Sequence, residues 1–230
     1  PCRTLDGVDI KLMANVDSAD DIHISQNVGA TGSGLVRSEQ LIVEKGRFPS
    51  EDEQIDYYKK IAESAYPDRV TIRTFDIGSD KYSEGMPHEE DNPALGFRGI
   101  RFLLSRKDVF KSQIRAILKV SVNKNVRIML PMISNLREVE ISKELISECK
   151  QELELEEVNY DRKIPLGIMV ETPAAAIISD KFAKSVDFFS IGTNDLTQYT
   201  IAADRVNELV SDVYDSFHPG VLQLIKTTVE

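Results

Sequence analysis

Six short apolar runs alternate with longer amphipathic segments along this chain, and this alternation restricts the possible folds more than any other feature. The runs are rich in Val, Ile, Leu, Met and Phe, and most of them lack a polar residue at every second position. Such runs are typical of strands that are buried on both faces of a parallel sheet. We predict strands over residues 10–16, 34–37, 70–75, 126–132, 166–171 and 187–191.

Helical signals lie between these strands, among them a capping box and a Thr-Pro pair that is typical of a helix start. We predict that helices begin near Ser50, Ser134, Thr172 and Pro219, and a further helix is marked by Phe110, Ile114, Ile117 and Leu118. Repeated strand–helix units imply right-handed crossovers and a parallel sheet, so the fold class is α/β. Six units are compatible with an open doubly wound sheet and equally with most of an eight-unit barrel. The pattern alone does not decide between these two.

Chain length and net charge limit the number of domains and the classes of ligand that this protein can bind. The 230 residues suffice for one large α/β domain or two small ones. The 28 Lys and Arg against 38 Asp and Glu give a net charge of −10, which argues against a nucleic-acid surface. No stretch approaches the ~20 apolar residues that cross a bilayer, so we expect no membrane segment.

The two cysteines carry no signal of a disulfide framework. Cys149 falls in helical register with Val139, Ile146 and Leu153, so we expect a thiol that faces the core. The small number of cysteines favours a cytoplasmic protein.

Two carboxylates follow successive predicted strands. Glu171 ends the strand at 166–171, and Asp195 follows the strand at 187–191. Alone, Glu171 would complement a helix dipole, and Asp195 or its neighbour Asn194 would cap a helix. Adjacent parallel strands lie ~4.8 Å apart, so both carboxylates can reach one cation. Two carboxylates with water and substrate oxygens are a usual Mg²⁺ environment, and the lack of a His/Cys cluster argues against zinc.

Basic residues lie near the same strand ends. They are Arg37, Arg73, Lys81, Arg98 and Arg205, and Lys81 belongs to a polar loop at 78–92 of a length that is often functional. Each alone is more often a surface ion pair than a ligand. Several on one face repel one another unless an anion lies among them, and arginine binds phosphate or carboxylate bidentately. With a Mg²⁺ site, they indicate a site for a phosphorylated carboxylic acid.

Six strings in these regions resemble the phosphoenolpyruvate-binding C-terminal barrel of the phosphotransferase-system Enzyme I family. They are Gly-Leu-Val-Arg-Ser-Glu (34–39), Arg-Thr-Phe-Asp-Ile-Gly-Ser-Asp-Lys (73–81), Asn-Pro-Ala-Leu-Gly-Phe-Arg (92–98), Met-Leu-Pro-Met-Ile (129–133), Gly-Ile-Met-Val-Glu-Thr-Pro-Ala-Ala (167–175) and Phe-Phe-Ser-Ile-Gly-Thr-Asn-Asp-Leu-Thr-Gln-Tyr (188–199). The last string is the most specific. The strings occur in order and span nearly the whole chain.

The resemblance implies a (β/α)₈ TIM-type barrel over residues 1–230, one domain that binds phosphoenolpyruvate and Mg²⁺ at its C-terminal face. By motif match, Glu171 and Asp195 are the implied Mg²⁺ ligands. The implied substrate ligands are Arg37, Arg73 and Lys81 for the phosphate, Arg98 for the phosphate and the developing enolate oxygen, and Asn194 and Arg205 for the phosphate and carboxylate end. Two positions depart from the family pattern, Val36 before the first arginine and Val206 after the last.

The resemblance also implies partners. In the family, the phosphoryl group passes to a histidine on a separate N-terminal domain that serves a phosphocarrier protein of sugar transport, and pyruvate is left. The implied protein is a cytoplasmic, homodimeric transferase. The family's proton-donating cysteine lies in a motif that would fall beyond Glu230, so we expect no catalytic residue here, only about six βα units, and a fragment that is inactive alone.

Two other interpretations stay open from the sequence. The chain is compatible with the barrel of a phosphoenolpyruvate synthase or pyruvate phosphate dikinase, whose site logic is shared but whose strings match less closely. It is also compatible with a non-catalytic module for dimerisation or ligand sensing. In each case the first and sixth strands would be unpaired edges, so we predict an open barrel or one whose gap another chain covers.

Overall fold

Six parallel strands form the central sheet, and they follow one another in chain order. The computed structural model describes residues 2–78 and 90–230. The strands of this sheet are β3 (Ala14–Val16), β4 (Ser33–Arg37), β5 (Val70–Arg73), β6 (Val126–Leu130), β7 (Leu166–Val170) and β8 (Phe188–Ile191). A separate antiparallel hairpin of β1 (Cys2–Arg3) and β2 (Asp9–Ile10) precedes them.

Helices connect the strands and cover the sheet. The α-helices in the described residues are α1 (Ala19–Asn27), α2 (Gln40–Lys45), α3 (Glu51–Ala65), α4 (Ile100–Ser105), α5 (Lys107–Val120), α6 (Leu136–Leu155), α7 (Pro173–Ile177), α8 (Ser179–Phe182), α9 (Thr193–Ile201) and α10 (Pro219–Val229). Short 3₁₀ helices span Pro93–Leu95, Ser121–Asn123 and Glu208–Val213. Of the helices in the described ranges, none is both long enough and apolar enough to cross a bilayer.

Strand order decides between the two architectures that the sequence left open. A doubly wound sheet reverses its strand order at a switch point. Here each strand pairs in parallel with the next along the chain, and the sheet curls into part of a barrel. Within the described ranges β3 and β8 each pair on one side only. The predictions of a TIM-type arrangement, of six units and of an open barrel are therefore confirmed.

The first predicted strand is wrong in extent. Ile10 pairs with Cys2 in the hairpin, and the main sheet begins only at Ala14. Ile10 and Leu12 stay about half exposed, so this apolar run does not mark a buried strand. The other five predicted strands lie in the sheet, and three of them end one or two residues earlier than predicted.

The helices that face the sheet follow the predicted pattern. Ser50 caps α3, where its Oγ accepts a bond from the Glu53 N–H at 3.3 Å and Glu53 accepts one from the Ser50 N–H at 2.9 Å. The apolar faces of α3 and α5 are buried; their residues include Tyr58, Ile61, Phe110, Ile114 and Ile117. Helix α3 packs against β5, and α5 packs against β6.

The predicted core position of Cys149 is confirmed. The thiol is fully buried on α6, whereas Cys2 is exposed, and neither forms a disulfide. Burial raises the pKa of the Cys149 thiol to about 12. The thiolate is the reacting species. The Cys149 thiol is therefore unreactive both because reagents cannot reach it and because it stays protonated.

We therefore expect one fast thiol in the native chain. Ellman's reagent should modify Cys2 quickly and Cys149 only after unfolding in guanidinium chloride. In the variant Cys2→Ser, the native protein should stay almost unreactive. Two thiols that react at similar rates without denaturant would contradict the packing of α6.

Candidate functional site

A cleft of about 570 Å³ opens at the carboxyl ends of the parallel strands. Its walls come from loops that follow β3, β4, β5, β7 and β8. Seven of the residues predicted for the site line it together: Arg37, Arg73, Arg98, Glu171, Asn194, Asp195 and Arg205. The eighth, Lys81, lies outside the described residues.

Arg73 lies at the floor of this cleft with its side chain 8% exposed. It forms an ion pair with Glu39, and its Nη1 lies 3.2 Å from Asp76 Oδ2. Burial by itself lowers the pKa of the Arg73 guanidinium, but the charges of Asp76, Glu39 and Glu171 outweigh burial and raise that pKa. The group therefore stays charged where an unpaired arginine would be strongly destabilised.

Arg98 links two strand ends across the cleft. Its guanidinium donates to both oxygens of Asp76, at 2.7 and 3.2 Å, and to Asp195 Oδ1 at 3.2 Å. Its Nη1 also lies 3.3 Å from the hydroxyl oxygen of Tyr199. Burial lowers the pKa of Arg98, but Asp76 and Asp195 raise it further than burial lowers it. The Asp76 carboxylate thus forms ion pairs with both Arg73 and Arg98.

The remaining cations lie nearer the rim. Arg37 binds Asp17 bidentately, at 2.7 and 2.8 Å, and its side chain is half exposed. Arg205 Nη1 lies 3.6 Å from Asp195 Oδ2. Asn194 is exposed at the cleft wall.

Glu171 is fully buried and only half satisfied. Its Oε1 accepts the Met132 N–H at 2.6 Å, and Met132 takes a left-handed conformation with φ 55°. Its Oε2 is buried with no hydrogen-bond partner in the described parts of the chain. Gly192 lies beside that oxygen, and a Cβ at position 192 would fall 2.8 Å from it. The close approach of the Glu171 side chain therefore requires glycine at position 192.

The alternative that Asn194 or Asp195 caps the following helix is wrong. Helix α7 is capped by Thr172, whose Oγ1 accepts the Ala175 N–H at 3.2 Å. Helix α9 begins after Gly192, which has no side chain to cap it. Asp195 faces Arg98 and Arg205 instead, and Glu171 accepts the N–H of Met132, two residues past β6.

Three carboxylates of the cleft were not selected from the sequence. They are Asp17, Glu39 and Asp76. Glu39 and Asp76 lie inside strings that were singled out, two residues after Arg37 and three after Arg73. An acidic residue so close to a candidate anion ligand at a strand end is the signal that would have found them.

The two departures from the family pattern have simple structural explanations. Val36 is fully buried in β4 as part of the core. Val206 is exposed and is not among the described non-glycine residues with positive φ. The backbone at position 206 therefore does not require glycine.

The lining of the cleft carries charged groups of both signs. The described residues of this lining hold five carboxylates and four guanidinium groups. With every group ionised, this lining would be one charge negative, but burial raises the pKa of Glu171 to about 8, so near neutral pH the charges balance. No cluster of three or more His, Cys, Asp or Glu residues suited to a metal occurs in the described ranges. A cation here would therefore need oxygen ligands from water or substrate, which Mg²⁺ usually retains.

Comparison with known proteins gives a consistent result. A family model described as "PEP-utilising enzyme, PEP-binding domain" matches residues 1–230. The phosphoenolpyruvate-protein phosphotransferase of Mycoplasma capricolum is 45% identical over 230 residues, which are 100% of this chain and 40% of that protein. That of Staphylococcus aureus is 44% identical over 229 residues, which are 99% of this chain and 40% of that protein. The chain thus spans 40% of the length of these curated relatives.

One solved structure supports the fold alone. A crystal structure described as a citrate lyase from Burkholderia xenovorans aligns with a TM-score of 0.50 at 15% identity. The alignment covers 96% of this chain and 61% of that one.

Glu171 predicts an unusual dependence of stability on pH. Burial, together with the charges of Asp76 and Asp195, raises the pKa of this carboxyl from its ordinary value of 4.5 to about 8. The unfolded chain releases the proton near the ordinary value, whereas the folded chain keeps it. The contribution of Glu171 to folding stability should therefore fall as pH rises from about 4.5 to about 8.

The variant Glu171→Gln should remove this dependence. In EDTA, its free energy of unfolding should match that of the parent near pH 5 and exceed it by a few kcal/mol near pH 9, since one pKa unit corresponds to about 1.4 kcal/mol. Urea unfolding at both pH values measures the difference. A variant that is less stable than the parent near pH 9 would show that the carboxylate is favourably paired.

Proposed function

Because the chain belongs to the PEP-utilising enzyme, PEP-binding domain family, we propose that its cleft binds phosphoenolpyruvate together with Mg²⁺. Residues 1–230 act in this proposal as one phosphoenolpyruvate-binding domain. The activity that we propose for the whole protein is that of a phosphoenolpyruvate-protein phosphotransferase, the name borne by the relatives at 44–45% identity.

The observation that carries the proposal is the convergence of opposite charges from separate strand ends. Arg37, Arg73 and Arg98 follow three different elements and meet Glu171 and Asp195 in one cleft. Phosphoenolpyruvate carries about three negative charges near neutral pH, from one phosphate and one carboxylate. Planar guanidinium groups bind both of these groups bidentately. The cleft thus offers several such groups for one small, highly charged ligand.

The carboxylates of Glu171 and Asp195 are the proposed metal ligands. The Oε2 of Glu171 has no hydrogen-bond partner in the described residues and is thus available to a cation. A cation beside it would favour loss of the proton that the buried carboxyl otherwise keeps. A bound Mg²⁺ would supply two positive charges near the phosphate oxygens. Binding of the cation should therefore favour binding of the anion.

The chain's own residues have distinct parts in this proposal. Arg73 and Arg98 hold the phosphate at the floor, where their guanidinium groups are already charged and ordered by Glu39 and Asp76. Preordered donors of this kind stabilise charge that moves during phosphoryl transfer. Arg37 and Asn194 close the phosphate end, and Arg205 receives the carboxylate end. Lys81, from the resemblance, is a further phosphate ligand.

The transfer itself needs a partner. We propose that the bond from phosphorus to the enol oxygen breaks as a bond to a histidine nitrogen of a separate domain forms, and that protonation of the enolate then gives pyruvate. In this proposal a phosphocarrier protein receives the phosphoryl group next, as part of sugar uptake in the cytoplasm. A homodimer is the proposed assembly.

We expect that phosphoenolpyruvate binding depends on Mg²⁺ and is weakened by loss of the rim arginine Arg205. In isothermal titration, phosphoenolpyruvate should bind with Mg²⁺ present and at least about tenfold more weakly in EDTA. Arg205→Gln should weaken binding by about tenfold or more, because a hydrogen bond to a charged group contributes roughly 1.5–3 kcal/mol.

The matched control is Arg137→Gln. Arg137 is an exposed arginine on α6 that pairs with Glu140 and Glu144, away from the cleft, so this change should leave affinity unaltered. Circular dichroism shows that each variant is folded. If the folded parent chain gives no heat with millimolar phosphoenolpyruvate and Mg²⁺, the proposal fails.

A further inference from the structure

A buried polar cluster of Ser38, Tyr58 and Gln113 lies between the sheet and helices α3 and α5. All three side chains are fully buried, although none of them lines the cleft. Gln113 projects from α5, a helix whose other buried residues are almost all apolar. A buried polar side chain is stabilised only where its hydrogen bonds are made, so the partners of Gln113 indicate its role.

The partners of Gln113 include the ends of two strands. Its Oε1 accepts the backbone N–H of Phe75 at 2.9 Å, just past β5. Its Nε2 donates to Ser38 Oγ at 3.0 Å, just past β4. Ser38 Oγ in turn donates to the backbone carbonyl of Arg73 at 2.6 Å. One glutamine therefore joins β4 and β5 where their ladder stops, since Arg37 and Arg73 are the last register pair.

These joined positions are adjacent to the anion ligands of the proposed function. Ser38 directly follows Arg37 and directly precedes Glu39. Phe75 lies two residues after Arg73 and directly precedes Asp76. A shift of either strand end would move a guanidinium group and the carboxylate that orders it. The carboxylates at the ends of β7 and β8 are held by other contacts, such as the Met132 N–H to Glu171.

We propose that Gln113 and Ser38 are positioning residues that set the spacing of Arg37 and Arg73 for the phosphate. These two residues together form a clamp on the ends of β4 and β5. This inference rests on the proposed function. Gln113 and Ser38 act through the backbone and do not contact the ligand. The clamp acts on the ends of β4 and β5, whereas the proposed metal ligands follow β7 and β8. Loss of the clamp should therefore weaken anion binding without weakening metal binding.

The primary test is Ser38→Ala, which removes one oxygen atom and breaks the link from Gln113 to the Arg73 carbonyl. In isothermal titration with Mg²⁺ present, its dissociation constant for phosphoenolpyruvate should rise about fivefold, as expected for one hydrogen bond of about 1 kcal/mol. Its affinity for Mg²⁺ alone, titrated without phosphoenolpyruvate, should stay within about twofold of the parent.

The matched control is Tyr58→Phe. The Tyr58 hydroxyl accepts a bond from the same Gln113 Nε2 at 2.9 Å and is equally buried. It also interacts with the Ser38 side chain, but it bonds to no backbone group at either strand end. Tyr58→Phe should leave phosphoenolpyruvate affinity within about twofold, because both strand-end bonds of Gln113 remain. Gln113→Met, which is close to glutamine in volume, is the second variant and should weaken phosphoenolpyruvate binding at least as much as Ser38→Ala.

The outcomes separate the two ideas. If the parent chain binds no phosphoenolpyruvate, the proposed function fails and this inference fails with it. If the parent binds and both Ser38→Ala and Gln113→Met bind equally well, the clamp is overturned and the proposed function stands. The clamp is also overturned if Tyr58→Phe weakens binding as much as Ser38→Ala, or if Mg²⁺ affinity falls in parallel with phosphoenolpyruvate affinity.

Discussion

Pairing of guanidinium groups with carboxylates at the floor of one cleft is the interaction on which the arrangement of this protein depends. Arg73 and Arg98 are buried, and a buried arginine keeps its charge only beside an anion. Asp76 supplies that anion to both, at 3.2 Å from Arg73 and 2.7 Å from Arg98. The parallel sheet brings these groups together because the carboxyl ends of all six strands face the same side.

The same pairing leaves one carboxylate without a cation of its own. Glu171 is fully buried, and its Oε2 has no hydrogen-bond partner in the described parts of the chain. The described lining holds four guanidinium groups and five carboxylates, so ionisation of Glu171 leaves it one charge negative, which is unsuited to an anion. A divalent cation would reverse that balance, so the proposed metal and the proposed substrate each make the site favourable for the other. The clamp of Ser38 and Gln113 adds a mechanical condition to this electrostatic one.

Much of the fold follows from the sequence because burial leaves a periodic trace. Five of the six predicted strands and the helix starts at Ser50, Thr172 and Pro219 agree with the structure. The first strand does not, because an apolar run marks burial only if something covers it, and Ile10 and Leu12 are left half exposed.

The site was predictable only in part. Strand-end position and family resemblance selected seven residues that line one cleft, whereas their roles stay predictions and Lys81 lies outside the described residues. Asp76 was missed although its position three residues after Arg73 was a usable signal. Gln113 was missed because its importance comes from contacts between a helix and two strand ends, which leave no periodic trace.

The central claim is that metal and substrate share this cleft. The most direct measurement is phosphorus relaxation of phosphoenolpyruvate in solution, with paramagnetic Mn²⁺ in place of Mg²⁺. The account predicts that Mn²⁺ strongly raises the phosphorus relaxation rate of phosphoenolpyruvate bound to the unsubstituted chain, and that this increase is lost in Glu171→Gln. If Mn²⁺ and phosphoenolpyruvate are both bound to the unsubstituted chain and the phosphorus relaxation rate does not rise, the account is contradicted.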